Sequence, residues 1–130
     1  MKPTMVLVLA GCVILGCGKA PHSKKEALAG IRTLLKRAAI YREQGDTEGL
    51  FSTLRPDART EVRKFMSRPG FAERMEKEKA EDLAELDKML TLVPKLNDSH
   101  TEATFEWELG SNSVRRVQFV FIEDQWYFDK

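Results

Sequence analysis

From Ser23 onward the apolar positions first follow a helical period and then, near residue 89, a period of two. Ser23-Lys24-Lys25-Glu26 has the form of a capping box, in which the serine oxygen takes the backbone N–H three residues on. Leu28, Ile31, Leu34, Leu35, Ala38 and Tyr41 then recur at helical spacing, and Gly45 supplies a left-handed stop. The predicted first helix therefore has about five turns. Asp46 caps a short helix over 47–54 with Leu50, Phe51 and Leu54 inward. Arg55-Pro56 breaks it, since the residue before proline avoids the helical region. Pro56 suits the first turn of the next helix, which runs to about Met66 with Ala58, Val62, Phe65 and Met66 as its apolar positions. Pro69-Gly70 breaks the chain again. The stretch 71–88 predicts one charged helix with a thin stripe of Met75, Leu83, Leu86 and Met89. Its charges read as a solvated face carrying Glu and Lys pairs three or four apart.

The change of period predicts strands. The first covers 89–96, with Pro94 making it an edge or bulged strand. After a turn at Asn97-Asp98-Ser99, residues 100–109 alternate. Thr101, Ala103, Phe105, Trp107 and Leu109 share the inward face; Glu102, Thr104, Glu106 and Glu108 share the other. A turn at 110–113 leads to a strand over 114–122 with Val117, Phe119 and Phe121 inward. Glu123-Asp124-Gln125 turns once more into Trp126-Tyr127-Phe128. Helices first and strands afterwards argue an α+β domain: three to four N-terminal helices packed on a curved antiparallel sheet of about four strands. The first helix should lie across the concave face.

The N-terminus reads differently. Residues 5–18 are almost wholly apolar, behind Lys2 and ahead of Lys19. That run is shorter than the roughly 20 residues a spanning helix needs. The order of basic, apolar and small residues is that of a secretory signal. Ile14-Leu15-Gly16-Cys17 resembles a bacterial lipobox, whose cysteine is lipidated and becomes the mature N-terminus. Leu9-Ala10-Gly11-Cys12 fits the consensus better residue by residue. It would, however, leave too short an apolar segment before it and strand Val13-Ile14-Leu15 at the mature end. Cys17 is therefore the expected lipidation site and Cys12 the alternative. The chain divides into a signal over 1–16, a short tether over 17–22 and one domain over 23–130. An anchor of two or more acyl chains would hold the protein on a bacterial membrane. In a host with two membranes that is the outer membrane, facing the periplasm.

Charge adds an exclusion. The 21 Lys and Arg stand against 20 Asp and Glu, and loss of Lys2 with the signal would leave the domain neutral. This gives no reason to expect nucleic acid as partner or a polybasic attraction to headgroups. The two cysteines, His22 and His100 do not have zinc spacing, so no metal is expected. There is no glycine-rich phosphate loop and no serine nucleophile motif, and no cofactor is expected.

The inward strand positions are aromatic and aliphatic, without a carboxylate or histidine. His100, at a strand start, should face solvent. The expected lining of any cavity between the first helix and the sheet is Tyr41, Phe105, Trp107, Phe119, Phe121 and Trp126. On the outer face, Glu102, Glu106 and Glu108 lie beside Arg116, as in cross-strand charge pairs. Val114, Val120, Ile122 and Tyr127 share that face, which suits a protein partner or a homodimer.

Three stretches carry a family resemblance. Tyr41-Arg42-Glu43-Gln44-Gly45-Asp46 resembles the end of the first helix in the nuclear-transport-factor-2-like superfamily. The stretch Leu50-Phe51-Ser52-Thr53-Leu54-Arg55-Pro56-Asp57-Ala58-Arg59 is similar to the segment that follows it there. Residues 119–128 resemble the closing hairpin. The resemblance extends to small bacterial lipoproteins of that shape and implies a cone-shaped fold. The superfamily holds isomerases, dehydratases, hydrolases, binding modules and dimerisation domains, so fold alone carries no activity across. Its enzymes tend to use an Asp, His or Tyr inside the cone. This chain departs from the pattern in its long charged helix and in Gln125, where glycine is usual. The expectation is a lipid-anchored, non-catalytic binding or envelope-interaction module. The alternatives are an enzyme acting on a small hydrophobic molecule in the cone, or a structural dimerisation domain.

Overall fold

The computed structural model of the chain describes residues 23–110 and 112–129. Among them are five α-helices followed by a four-stranded antiparallel sheet. The chain is thus α+β, with helices first and a meander after.

Helix α1 spans Lys24–Gln44. Ser23 caps it, its Oγ accepting the Glu26 N–H at 3.1 Å. Gly45, at φ 69°, closes it with the Asp46 N–H reaching back to the Tyr41 carbonyl at 2.8 Å. This is the left-handed stop that the glycine predicts. The buried stripe is Ala27, Ile31, Leu34, Leu35, Ala38 and Arg42. It therefore passes through Arg42, four residues after Ala38, and leaves Tyr41 half-buried. Helix α2 spans Thr47–Ser52, with the Asp46 carboxylate accepting from the Gly49 N–H at 2.9 Å. A 3₁₀ turn over Pro56–Ala58 leads into α3, Arg59–Met66.

The predicted single helix over 71–88 is two: α4 over Phe71–Lys77 and α5 over Lys79–Leu90. No proline or glycine marks the break at Glu78. Its cause is tertiary: the buried Arg42 guanidinium donates to the carbonyl of Met75 in the last turn of α4. Carbonyls of a helix's last turn have no partner within the helix, and this one finds a cation on α1. Beyond the break, α5 packs along α1, and Arg32 caps its C-terminus by donating to the Leu90 carbonyl at 2.8 Å.

The predicted strand over 89–96 is mostly helix and loop. Met89 and Leu90 finish α5, and only Lys95–Leu96 pair as β1. Met89 belongs to the core stripe that Leu86 begins, and burial there outweighs strand pairing. Strand β2 spans Glu102–Glu108, β3 Val114–Ile122 and β4 Gln125–Phe128, in the sheet order β1-β2-β3-β4. Phe105 pairs Val117 and Glu106 pairs Arg116 between β2 and β3. The alternation is as read for Ala103, Phe105 and Phe119, which are all buried. Leu109 departs from it, lying beyond β2 and 60 % exposed. Glu123 and Asp124 both take positive φ in the two-residue turn between β3 and β4, the geometry of a primed hairpin turn. The free edge of β4 is covered by the segment after α2. The Phe128 N–H donates to the Thr53 carbonyl at 2.8 Å and the Arg55 N–H to the Phe128 carbonyl at 3.1 Å.

Candidate functional site

A pocket of about 360 Å³ opens between the C-terminal half of α1, α5 and the far ends of β3 and β4, roofed by α3 and α4. Each element contributes through its core-facing stripe. Helix α1 presents Ala38 and Arg42, and α5 presents Asp82, Glu85, Leu86 and Met89. The roof supplies Val62 and Met66 from α3, and Phe71 and Met75 from α4. The sheet supplies Arg115, Val117 and Phe128. Leu50, Phe51 and Leu54 close the remaining side.

The lining is mostly apolar; its polar residues are Thr47, Thr53 and the members of two ion pairs. Arg42 is 5 % exposed, and its Nε donates to Asp82 Oδ2 at 2.9 Å. Its second donor goes to the Met75 carbonyl, so the guanidinium ties α1 to both sides of the α4–α5 break. Arg115 forms a two-pronged pair with Glu85, Nε to Oε2 at 2.7 Å and Nη2 to Oε1 at 2.8 Å. The hydrogen bond from Arg115 to Glu85 raises the guanidinium pKa above its ordinary value, burial opposes that, and the Glu85 and Asp82 charges add to it. Two cations and two carboxylates thus enter the lining with no net charge. Charge-assisted, planar pairing of this kind fixes side-chain position as well as energy.

Sequence reasoning missed these four residues. It read Asp82 and Glu85 as part of a solvated face and found no carboxylate inside. A signal was present: 82, 85, 86 and 89 have helical core spacing, Arg42 continues the stripe 31-34-35-38, and Arg115 has the parity of Val117. The six aromatics expected to line a cavity do not line this pocket. Phe105, Phe119 and Trp126 are buried in the core, with Trp107 and Phe121 packed against it. Tyr41 stacks over Gly49 at the α1–α2 corner. His100 is half-buried, not fully exposed, and takes φ 58° in the turn before β2. Outside the sheet, Arg116 pairs with Glu106 at 2.5 Å, the cross-strand pair read from the sequence. The lipobox cysteines Cys12 and Cys17 lie outside the described residues.

Among the described residues, no helix is long and apolar enough to cross a membrane. No family model, no curated protein and no solved structure matches the chain.

Proposed function

We propose that the chain is an exported, lipid-anchored binding module with the cone shape of the nuclear-transport-factor-2-like superfamily. In this reading Cys17, or else Cys12, carries the lipid on the periplasmic side of a bacterial outer membrane or its single-membrane equivalent. The pocket beneath α3 and α4 holds a small molecule with an apolar body. The pocket itself carries the reading: about 360 Å³, mostly apolar, with two arginine–carboxylate pairs in its lining. Few, convergent polar groups in an apolar cleft are the usual make-up of a small-molecule site. Both carboxylates are engaged by arginines, which suits orientation of a ligand better than proton transfer.

The test is native mass spectrometry of protein extracted from membranes, beside Val62→Trp, which puts an indole into the roof. A small adduct on the wild type that the variant lacks supports the reading; bare protein in both overturns it. Intact mass of the same samples and of Cys17→Ser reports the lipid. A second reading, an enzyme on the same molecule, is favoured by Asp82, whose side chain is 45 % exposed at the pocket wall. It requires the adduct of Asp82→Asn to differ in mass from that of the wild type.

A further inference from the structure

A second concavity lies on the outer side of α3. It is a shallow depression of about 630 Å³ lined by Phe51, Arg59, Thr60, Arg63, Lys64 and Ser67. Residues 59–68 hold four cations and a single carboxylate, Glu61. The chain's near-balance of charge, +1 overall, therefore hides a local positive field. The charges are weakly compensated. Arg59 spends its hydrogen bonds on neutral acceptors, the carbonyls of Leu54 and Ser52, both at 3.1 Å. Arg63 meets Glu48 at 3.5 Å and Lys64 meets Glu61 at 3.7 Å, both pairs largely in solvent. Phe51 forms the floor, with the Arg63 guanidinium 4.1 Å from its ring centroid. That stacking holds the cation in place while its side chain stays 58 % exposed.

We infer that this face of α3 docks on an anionic phospholipid surface, with Arg59, Arg63 and Lys64 receiving lipid phosphates. Opposite charge is the complementarity, and arginine's fork suits phosphate oxygens. The footprint is one helix of eight residues, too small for a nucleic acid, whose binding scales with the phosphates it neutralises. The choice of a membrane over an acidic protein rests on the anchoring proposed above, since a short tether gives even a weak patch a high effective concentration at the bilayer.

The test is hydrogen exchange of the full mature chain on phosphatidylcholine vesicles with and without phosphatidylglycerol. Attachment through the N-terminus is common to both compositions, and intact mass of the same sample shows separately whether that attachment is a lipid. The expected result is slower exchange over 59–68 with phosphatidylglycerol only, weakening as salt screens the charges. Arg63→Gln with Lys64→Gln should reduce that protection by about fivefold for each charge removed. This pair leaves Arg59 and its carbonyl contacts in place, and unchanged exchange in α1 reports that the fold survives. Equal exchange on both vesicles would overturn the inference, as would protection that the double variant retains. The same protection from inorganic phosphate on phosphatidylcholine alone would also overturn it, by making the depression a site for free phosphate.

Discussion

At the scale of single residues, two positions on α1 decide how closely the layers approach. At Gly30 an added Cβ would sit 2.7 Å from Cδ1 and 3.0 Å from Nε1 of Trp126. Trp126 is 5 % exposed and has little room to retreat. Gly30→Ala gains helix propensity but must push the indole or the helix aside. Overpacking of this kind costs about 1–3 kcal/mol, so a net loss is expected in urea denaturation. A stabilised Gly30→Ala would mean that α1 does not lie this close to the sheet. Arg42 is the second position. Its removal leaves the Met75 carbonyl and one oxygen of Asp82 without their donor and empties a buried volume. Asp82 is half in water, which lowers the penalty, so Arg42→Ala is expected to cost about 2 kcal/mol. Arg42→Lys should recover only part of it, because an ammonium cannot span both acceptors as the planar fork does.

Elements differ in how firmly they are held. Helix α1 buries six residues, whereas α3 and α4 bury none. The roof of the pocket is thus two short helices joined at Gly70, resting on half-buried side chains. Local opening follows such differences in burial. Amides over 59–77 are expected to exchange more than about tenfold faster than those of α1 and β3 in the isolated protein. Uniform exchange would show that the roof unfolds only with the rest. The same contrast explains what could be read from the sequence. Helix α1 and the strands β2 to β4 announce themselves because caps, turns and burial all agree locally. The α4–α5 break does not, because its cause, Arg42, lies 33 residues before the carbonyl it meets. The pocket's charged wall stayed hidden for a related reason. Acids on an amphipathic helix usually face water, and only a partner from a distant strand or helix makes a core-facing position tolerable. Arg115 and Glu85 are 30 residues apart, and Arg42 and Asp82 are 40 apart.

For the whole molecule, the pair between Arg115 and Glu85 joins the sheet to α5 beside the pocket. Its pH behaviour follows from the raised guanidinium pKa. A base whose pKa rises on folding contributes stability that is fully present below its unfolded value and lost only as pH climbs through the folded value. For arginine that lies far above neutral pH. Because Arg115 is 43 % exposed, solvent screens the pair, and Arg115→Gln is expected to cost only about 0.5–1 kcal/mol. That cost should be equal at about pH 7 and pH 10, since neither approaches the arginine value. Arg115→Lys provides the contrast. An ammonium titrates near 10.4 in the unfolded chain, so the stability it restores at neutral pH should begin to fade as the solution passes about pH 10. Denaturant midpoints of the three proteins at about pH 7, 10 and 11 check this, the lysine variant losing its advantage only at the last. A wild-type advantage over Arg115→Gln that vanished by about pH 10 would mean that a group other than this guanidinium holds α5 to the sheet.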